Sequence, residues 1–362
     1  MRLRRERPRT RRTQGVGASA DGRTRRTRRS WRTPGRVRSR LRRGLLAALI
    51  AVAVVVPLSG AGHAGTPAPV PPRLPAVTAD SLPSRYAAGR DAARDAARMA
   101  LAHGDRDRAA ALRALAGPGR SLLEFDGRGD GRAVEVLGEL ATAERVAVLV
   151  PGSDTTLDTY DPSPGTRNPT KSLSGAARSL YDETRRQDRD ARVAVVAWLG
   201  YDAPDTVSSD VLTTGLADEG AAELRAFTGT LRRAAPGARV ALLCHSYGAA
   251  VCGRAADGSA AADIAFYGSP GTGAADAGGL GTGARVWAGR GSDDWIAHVP
   301  HAGPDLFGSN VGLGPDPLDA DFGARRFAAG NAGHSDYLRP DSVSLRNLAR
   351  IARGDAGAVS HG

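Results

Sequence analysis

Cysteine is scarce in this chain: Cys244 and Cys252 are the only two among 362 residues. They do not form the closely spaced pairs from which thiolate metal sites are built. Histidine offers no metal set either, because the one close pair among the seven, His298-x-x-His301, lacks a third ligand at a suitable spacing. No phosphate-cradling glycine loop follows a strand and opens a helix, and Gly271 to Gly283 reads better as a mobile flap. No metal and no cofactor is therefore expected. Long hydrophobic runs are missing too. Gly44 to Val56 falls short of the roughly 18 apolar residues that argue for a membrane-spanning helix.

One sign of charge dominates only locally. Residues 1–43 hold eighteen arginines against one Glu and one Asp, a local charge of +16, which against the chain's +12 leaves −4 for the remainder. A pI near 10.7 would suggest nucleic acid if the charge were spread over a folded surface. Confined to one arm, it says nothing about the folded part, and no nucleic-acid partner is expected. After the arginines come the apolar run, Pro57 and the small residues Ser59 to Gly65, the order of an export signal. Arg42-Arg43-Gly44-Leu45-Leu46 resembles the twin-arginine export motif. Cleavage is expected near Ala61 or Ala64, giving a secreted or cell-envelope protein. Uncleaved, residues 44–58 would anchor it, the one membrane contact expected.

Beyond this leader (1–64), residues 65–83 read as a proline-rich linker. Residues 84–120 read as a helical extension broken at His103-Gly104-Asp105. From Ser121 to about residue 354, ahead of a flexible tail at 355–362, short apolar runs alternate with helical stretches. Leu122 to Phe125 and Ala133 to Leu137 form a candidate antiparallel hairpin. Arg145–Val150, Val193–Trp198, Arg239–Cys244, Ile264–Tyr267 and Arg285–Ala288 lack strict alternation, as strands covered on both faces do. Helices are expected at Ser172–Asp188, Ser209–Ala235 and Tyr247–Ala256, and a last strand at Phe322 to Phe327. The fold class is α/β: a doubly wound, mostly parallel sheet with an antiparallel N-terminal hairpin. Reactive groups in such sheets gather at the carboxyl ends of the strands.

The segments "VAVLVPGSDTT", "VAVVAWLGYDAP", "ALLCHSYGAAV", "DIAFYGSPGTG", "RVWAGRGSDDWI" and "NAGHSDYL" stand at those ends. In this order the chain, over roughly residues 85–354, resembles an α/β-hydrolase, specifically a poorly characterised actinobacterial family of serine hydrolases. The resemblance implies that Ser246, in Leu243-Cys244-His245-Ser246-Tyr247-Gly248-Ala249, is a nucleophile on a sharp strand-to-helix elbow, with Cys244 where a glycine usually stands. It places the base on the loop after the last strand, where His334 lies, and the acid after Arg285–Ala288, where Asp294 and Asp293 both qualify. Asp294 is preferred because an apolar anchor, Ile296, follows two residues later. His245 should point away from the hydroxyl of Ser246. The oxyanion donors would be the N–H groups of Ser153 and Tyr247. Asp154 beside them is expected to turn outward, in an Asx-turn. Trp198, Tyr201, Tyr267 and Trp295 fall at strand ends and could line an acyl pocket or simply pack in the core.

The two cysteines flank the elbow and are expected to be free thiols, because a strand and a following helix aim them poorly at one another. The function implied is an exported serine hydrolase cleaving an ester-type acyl bond of a small-molecule, lipid or cell-envelope substrate. The alternative is a catalytically silent α/β-hydrolase-fold binding protein. Mass spectrometry of secreted protein is expected to find a mature N-terminus between Ala61 and Pro83; an intact arm on cytoplasmic, nucleic-acid-bound protein would overturn the export reading.

Overall fold

Alternation along the central strands decides the layers. In the computed structural model, which describes residues 65–299 and 312–362 and the backbone of 305–306 and 309–310, strand β3 (Arg145–Val150) sends Val146, Val148 and Val150 to one face and Ala147 and Leu149 to the other. Strands β4 (Val193–Leu199) and β5 (Arg239–His245) divide in the same way. Both faces are apolar, so both must be covered. The leader with its apolar run at 44–58, and His301, lie outside the described residues. Among the described residues no helix is long and apolar enough to cross a membrane.

Eight strands form the sheet in the order β1-β2-β4-β3-β5-β6-β7-β10. Strands β1 (Leu122–Asp126) and β2 (Arg132–Leu137) make the expected antiparallel hairpin, and β2 also runs antiparallel to β4. From β4 onward every pairing is parallel, through β6 (Asp263–Tyr267), β7 (Arg285–Gly289) and the short β10 (Arg325–Arg326). Two further two-residue strands, β8 (Asp305–Leu306) and β9 (Ser309–Asn310), pair only with each other. The expected strand Phe322 to Phe327 shrinks to β10, because Ala320–Phe322 closes into a 3-10 turn ended by Gly323 at φ 82°.

Helices α1 (Leu82–His103), α2 (Arg106–Leu115), α3 (Leu173–Gln187) and α6 (Val343–Arg353) bury side chains in the core on one face. Helices α4 (Gly215–Ala234) and α5 (Gly248–Ala255) do so on the other. The break between α1 and α2 falls where expected: Gly104 at φ 97° ends the first helix and the Asp105 carboxylate accepts from the Arg108 N–H to start the second. The packed face of α1 is made of small residues. Ala92, Ala93, Ala96, Ala97 and Ala100 are buried, whereas Met99 and Leu101 are exposed. A side chain at Gly89 would meet the carbonyl oxygen of Leu122 at 2.5 Å, so the helix rests almost directly on β1.

The cysteine expectation is overturned. Cys244 and Cys252 form a disulfide, their Cα atoms 6.3 Å apart. The strand and helix positions come within bridging range because α5 starts only three residues after β5 ends. Both cysteines lie in the core on the α4/α5 face. Thiol titration in denaturant without reductant is expected to find no free thiol, and replacing both cysteines by Ala should cost about 2–3 kcal/mol through loss of a short loop closure. Two titratable thiols in the native oxidised protein would refute the bridge.

Candidate active site

The turn from β5 into α5 places Ser246 in the left-handed region, φ 52°. That conformation costs a non-glycine residue about 1–3 kcal/mol and persists only where the surroundings impose it. Here they do. A Cβ at Gly248 would lie 2.4 Å from the carbonyl oxygen of Pro151, and one at Gly152 would lie 2.6 Å from the Ser246 Cβ. Strand β5, helix α5 and the loop after β3 thus meet without side chains between them. Cys244 is accommodated at this elbow, because its side chain enters the α4/α5 layer, where it is bonded to Cys252. The Ser246 N–H donates to the Tyr267 carbonyl at 3.1 Å, which ties the turn to β6.

Three residues far apart in sequence meet at this elbow. His334 Nε2 lies 3.0 Å from Ser246 Oγ, and His334 Nδ1 lies 2.9 Å from Asp294 Oδ1. A carboxylate only accepts, so the His334 proton sits on Nδ1 and Nε2 presents a lone pair to the serine hydroxyl. Asp294 follows β7 and is 1% exposed, whereas Asp293 is exposed and bonded to the Ser292 hydroxyl at 2.9 Å. The structure therefore brings Asp294, not Asp293, to His334. Burial alone would raise the Asp294 carboxyl, but hydrogen bonds from His334, from the Tyr337 hydroxyl at 2.5 Å and from the Ile296 N–H at 2.9 Å outweigh it and hold the group below its ordinary value.

Ser153 and Tyr247 line the same cavity as Ser246, a space of about 650 Å³ that His334, Trp295 and Leu313 also border. The Asp154 N–H beside them is taken by the Pro204 carbonyl at 3.0 Å. Its carboxylate accepts from the Thr206 N–H at 2.8 Å and from the Thr206 hydroxyl. The carboxylate is thus engaged by residue 206 rather than in a local Asx-turn, and Asp154 and Thr206 both border the cavity.

The four aromatic candidates divide. Tyr267 and Trp295 border the cavity, and the Trp295 ring stands 4.6 Å from that of His334. Trp198 and Tyr201 do not. Trp198 is buried and packs on Tyr201 and Phe227, with ring centres 5.9 and 6.2 Å away, because it points to the α4 face of β4. Tyr201 is buried too, and its hydroxyl donates to the Pro151 carbonyl at 2.8 Å, holding the loop that carries Ser153. Sequence reasoning missed Tyr337, whose hydroxyl also accepts from the Gly291 N–H at 3.1 Å. Its one signal was position, three residues after His334.

Fold, elbow and family match together place this chain among the α/β hydrolases: residues 126–304 match the family described as alpha/beta hydrolase. An uncharacterised protein of Mycobacterium tuberculosis is 31% identical over 265 residues, covering 64% of this chain but 38% of the relative, so the chain spans well under half that relative's length. A second uncharacterised M. tuberculosis protein is 35% identical over 182 residues, covering 47% of this chain and 66% of the relative. Among solved structures, an α/β serine hydrolase without lid from Xanthomonas campestris is similar at 18% identity and TM-score 0.35, covering 66% of this chain and 95% of that one.

Because Asp294 is held below its unfolded value, the stability it contributes is present above about pH 3.9 and is lost as pH falls through the folded value. Tyr337→Phe removes one bond to this charged group and is expected to lower the unfolding free energy at pH 7 by about 1.5–3 kcal/mol. The deficit should shrink once acid protonates the carboxyl. Denaturant titrations at pH 7 and in acid check this, and a deficit independent of pH would show that the hydroxyl acts through its bond from the Gly291 N–H rather than through Asp294.

Proposed function

We propose that the protein is an exported serine hydrolase that cleaves an ester-type acyl bond through an acyl-enzyme. The observation that carries this reading is the continuous hydrogen-bond path from Ser246 Oγ through His334 to Asp294 at the wall of a cavity. As Ser246 Oγ attacks the substrate carbonyl carbon, its proton passes to His334 Nε2. Asp294, ionised and fixed by its own donors, holds the imidazole in the competent tautomer and stabilises the imidazolium.

The carbonyl oxygen becomes negative and meets the N–H groups of Ser153 and Tyr247. When the tetrahedral species collapses, the carbon–oxygen bond to the leaving alcohol breaks and that alkoxide takes the proton from Nε2. Water then repeats the sequence against the acyl-serine: Nε2 accepts its proton, the new bond forms at the acyl carbon, and Ser246 leaves with the proton. Mostly apolar walls around Leu173, Tyr267 and Leu313 suit the hydrocarbon part of an acyl or alcohol group. Export is supported by the leader and by the Cys244–Cys252 bridge, since disulfides persist in oxidising compartments.

A fluorophosphonate probe is expected to label one site, and Ser246→Ala to abolish the labelling. His334→Ala should slow hydrolysis of short p-nitrophenyl esters by roughly 10⁴-fold or more, and Asp294→Asn by far more than Asp293→Asn. A folded wild type that neither reacts with the probe nor turns over any such ester would favour a catalytically silent α/β-hydrolase-fold binding protein. Labelling that survives Ser246→Ala would assign the nucleophile elsewhere.

A further inference from the structure

The residue before the candidate nucleophile is itself a histidine, and its ring is engaged with the other histidine of the site. His245 ends β5, and its Nε2 lies 2.7 Å from the backbone carbonyl oxygen of His334. A carbonyl oxygen only accepts, so His245 carries its proton on Nε2 and donates. Its ring centre is 4.9 Å from that of His334, 5.2 Å from Tyr267 and 6.0 Å from Tyr337. We propose that His245 is a positioning residue for His334: its Nε2–H, given to the His334 carbonyl, sets the backbone of the base at a fixed place relative to the nucleophile next door. This rests on the reading of Ser246 and His334 as nucleophile and base.

The need for such a contact follows from where His334 sits. Residues 328–341 form turns without helix or strand, so no regular hydrogen-bond ladder holds the base. The loop is tied at other points: the Ser292 N–H donates to the Gly330 carbonyl at 2.9 Å, the Asn168 amide to the Asp336 carboxylate at 2.6 Å, and the Ser179 hydroxyl to the Leu338 carbonyl at 2.7 Å. Those bonds hold the flanks. The bond from His245 is the one that joins the main chain of His334 itself to the strand bearing Ser246. An error of about 1 Å in this placement is enough to cost on the order of 10²-fold in rate.

The surroundings are arranged for the ring. Gly268, at φ 59° just after β6, has no side chain, and a Cβ there would come within 3.1 Å of Asp294 Oδ2, 3.1 Å of the Tyr337 ring and 3.4 Å of His245 Nε2. The supports of acid and base therefore converge on one empty position. Burial, then the neighbouring His334 charge, lowers the His245 pKa to about 3 against weaker opposition from the His334 carbonyl and Asp294. His245 stays neutral at ordinary pH and adds no cation beside an imidazole that must itself become positive during reaction.

The test compares His245→Gln, which can place an amide N–H near the Nε2 position, with His245→Leu, which fills space without a donor, and with His245→Asn, whose amide is too short. Each variant is followed by thermal unfolding, by kcat and KM on a short p-nitrophenyl ester, and by the His334 Nδ1–H resonance in ¹⁵N-histidine-labelled protein. Leu and Asn are expected to lower kcat about 10–100-fold with KM little changed, and to broaden or lose the Nδ1–H signal. Gln is expected to rescue both. Should the Leu variant fail to fold, the Gln and Asn pair makes the same comparison. A Leu or Asn variant with wild-type kcat and an intact resonance, or a Gln variant as impaired as the Asn variant, would overturn the proposal. The resonance reports the His334–Asp294 bond with or without turnover, so a wild type inert toward esters would count against the hydrolase reading and leave this test intact.

Discussion

The close approach of three backbones at the elbow is the constraint on which the rest of the site depends. Gly152 and Gly248 let the loop after β3 and the first turn of α5 touch the strand end, and in that space Ser246 is pressed into φ 52°. A side chain at either glycine would move the hydroxyl away from His334 or push the Ser153 loop off the cavity. The strain at Ser246 is small beside the apolar burial on both faces of the sheet, where a single fully buried Leu or Val contributes about 1.5–3 kcal/mol. The fold can therefore hold an unfavourable backbone conformation where the hydroxyl must project.

The disulfide belongs to the same constraint. A glycine before the nucleophile is usual in this fold because strand and helix nearly meet; here the larger Cys244 turns into the α4/α5 layer and is bonded to Cys252 in the helix that follows. The bridge spans the elbow, with Ser246 inside the closed loop. What looked like a departure from the pattern is a covalent link between the two elements whose angle sets Ser246.

Electrostatically, the site keeps one ionised group in a dry place and surrounds it with donors. Asp294 is almost wholly buried, yet three hydrogen bonds keep its carboxyl below the ordinary value. Two come from the one loop after β10, through His334 and Tyr337, and the third from the turn that Asp294 itself caps. The neighbouring acid, Asp154, is occupied by Thr206.

Much of this was legible from local pattern. Apolar runs without alternation gave the parallel strands, Gly104 and Asp105 gave the break between α1 and α2, and the order of strand-end motifs gave the α/β-hydrolase architecture, because each depends on residues within a few positions of one another. The pairing of Asp294 rather than Asp293 with His334, the burial of Trp198 in the core and the Cys244–Cys252 bridge were decided by tertiary structure. Adjacent residues such as Asp293 and Asp294 differ in which way the turn aims them. Trp198 stands at a strand end but points into the α4 layer and does not border the cavity. Cys252 reaches Cys244 only because α5 begins at once after the elbow. The roles of Tyr337 and His245 were hidden for the same reason: a phenol or an imidazole that supports another side chain is defined by a contact across 43 residues in one case and 89 in the other, and only the folded sheet brings those ends together.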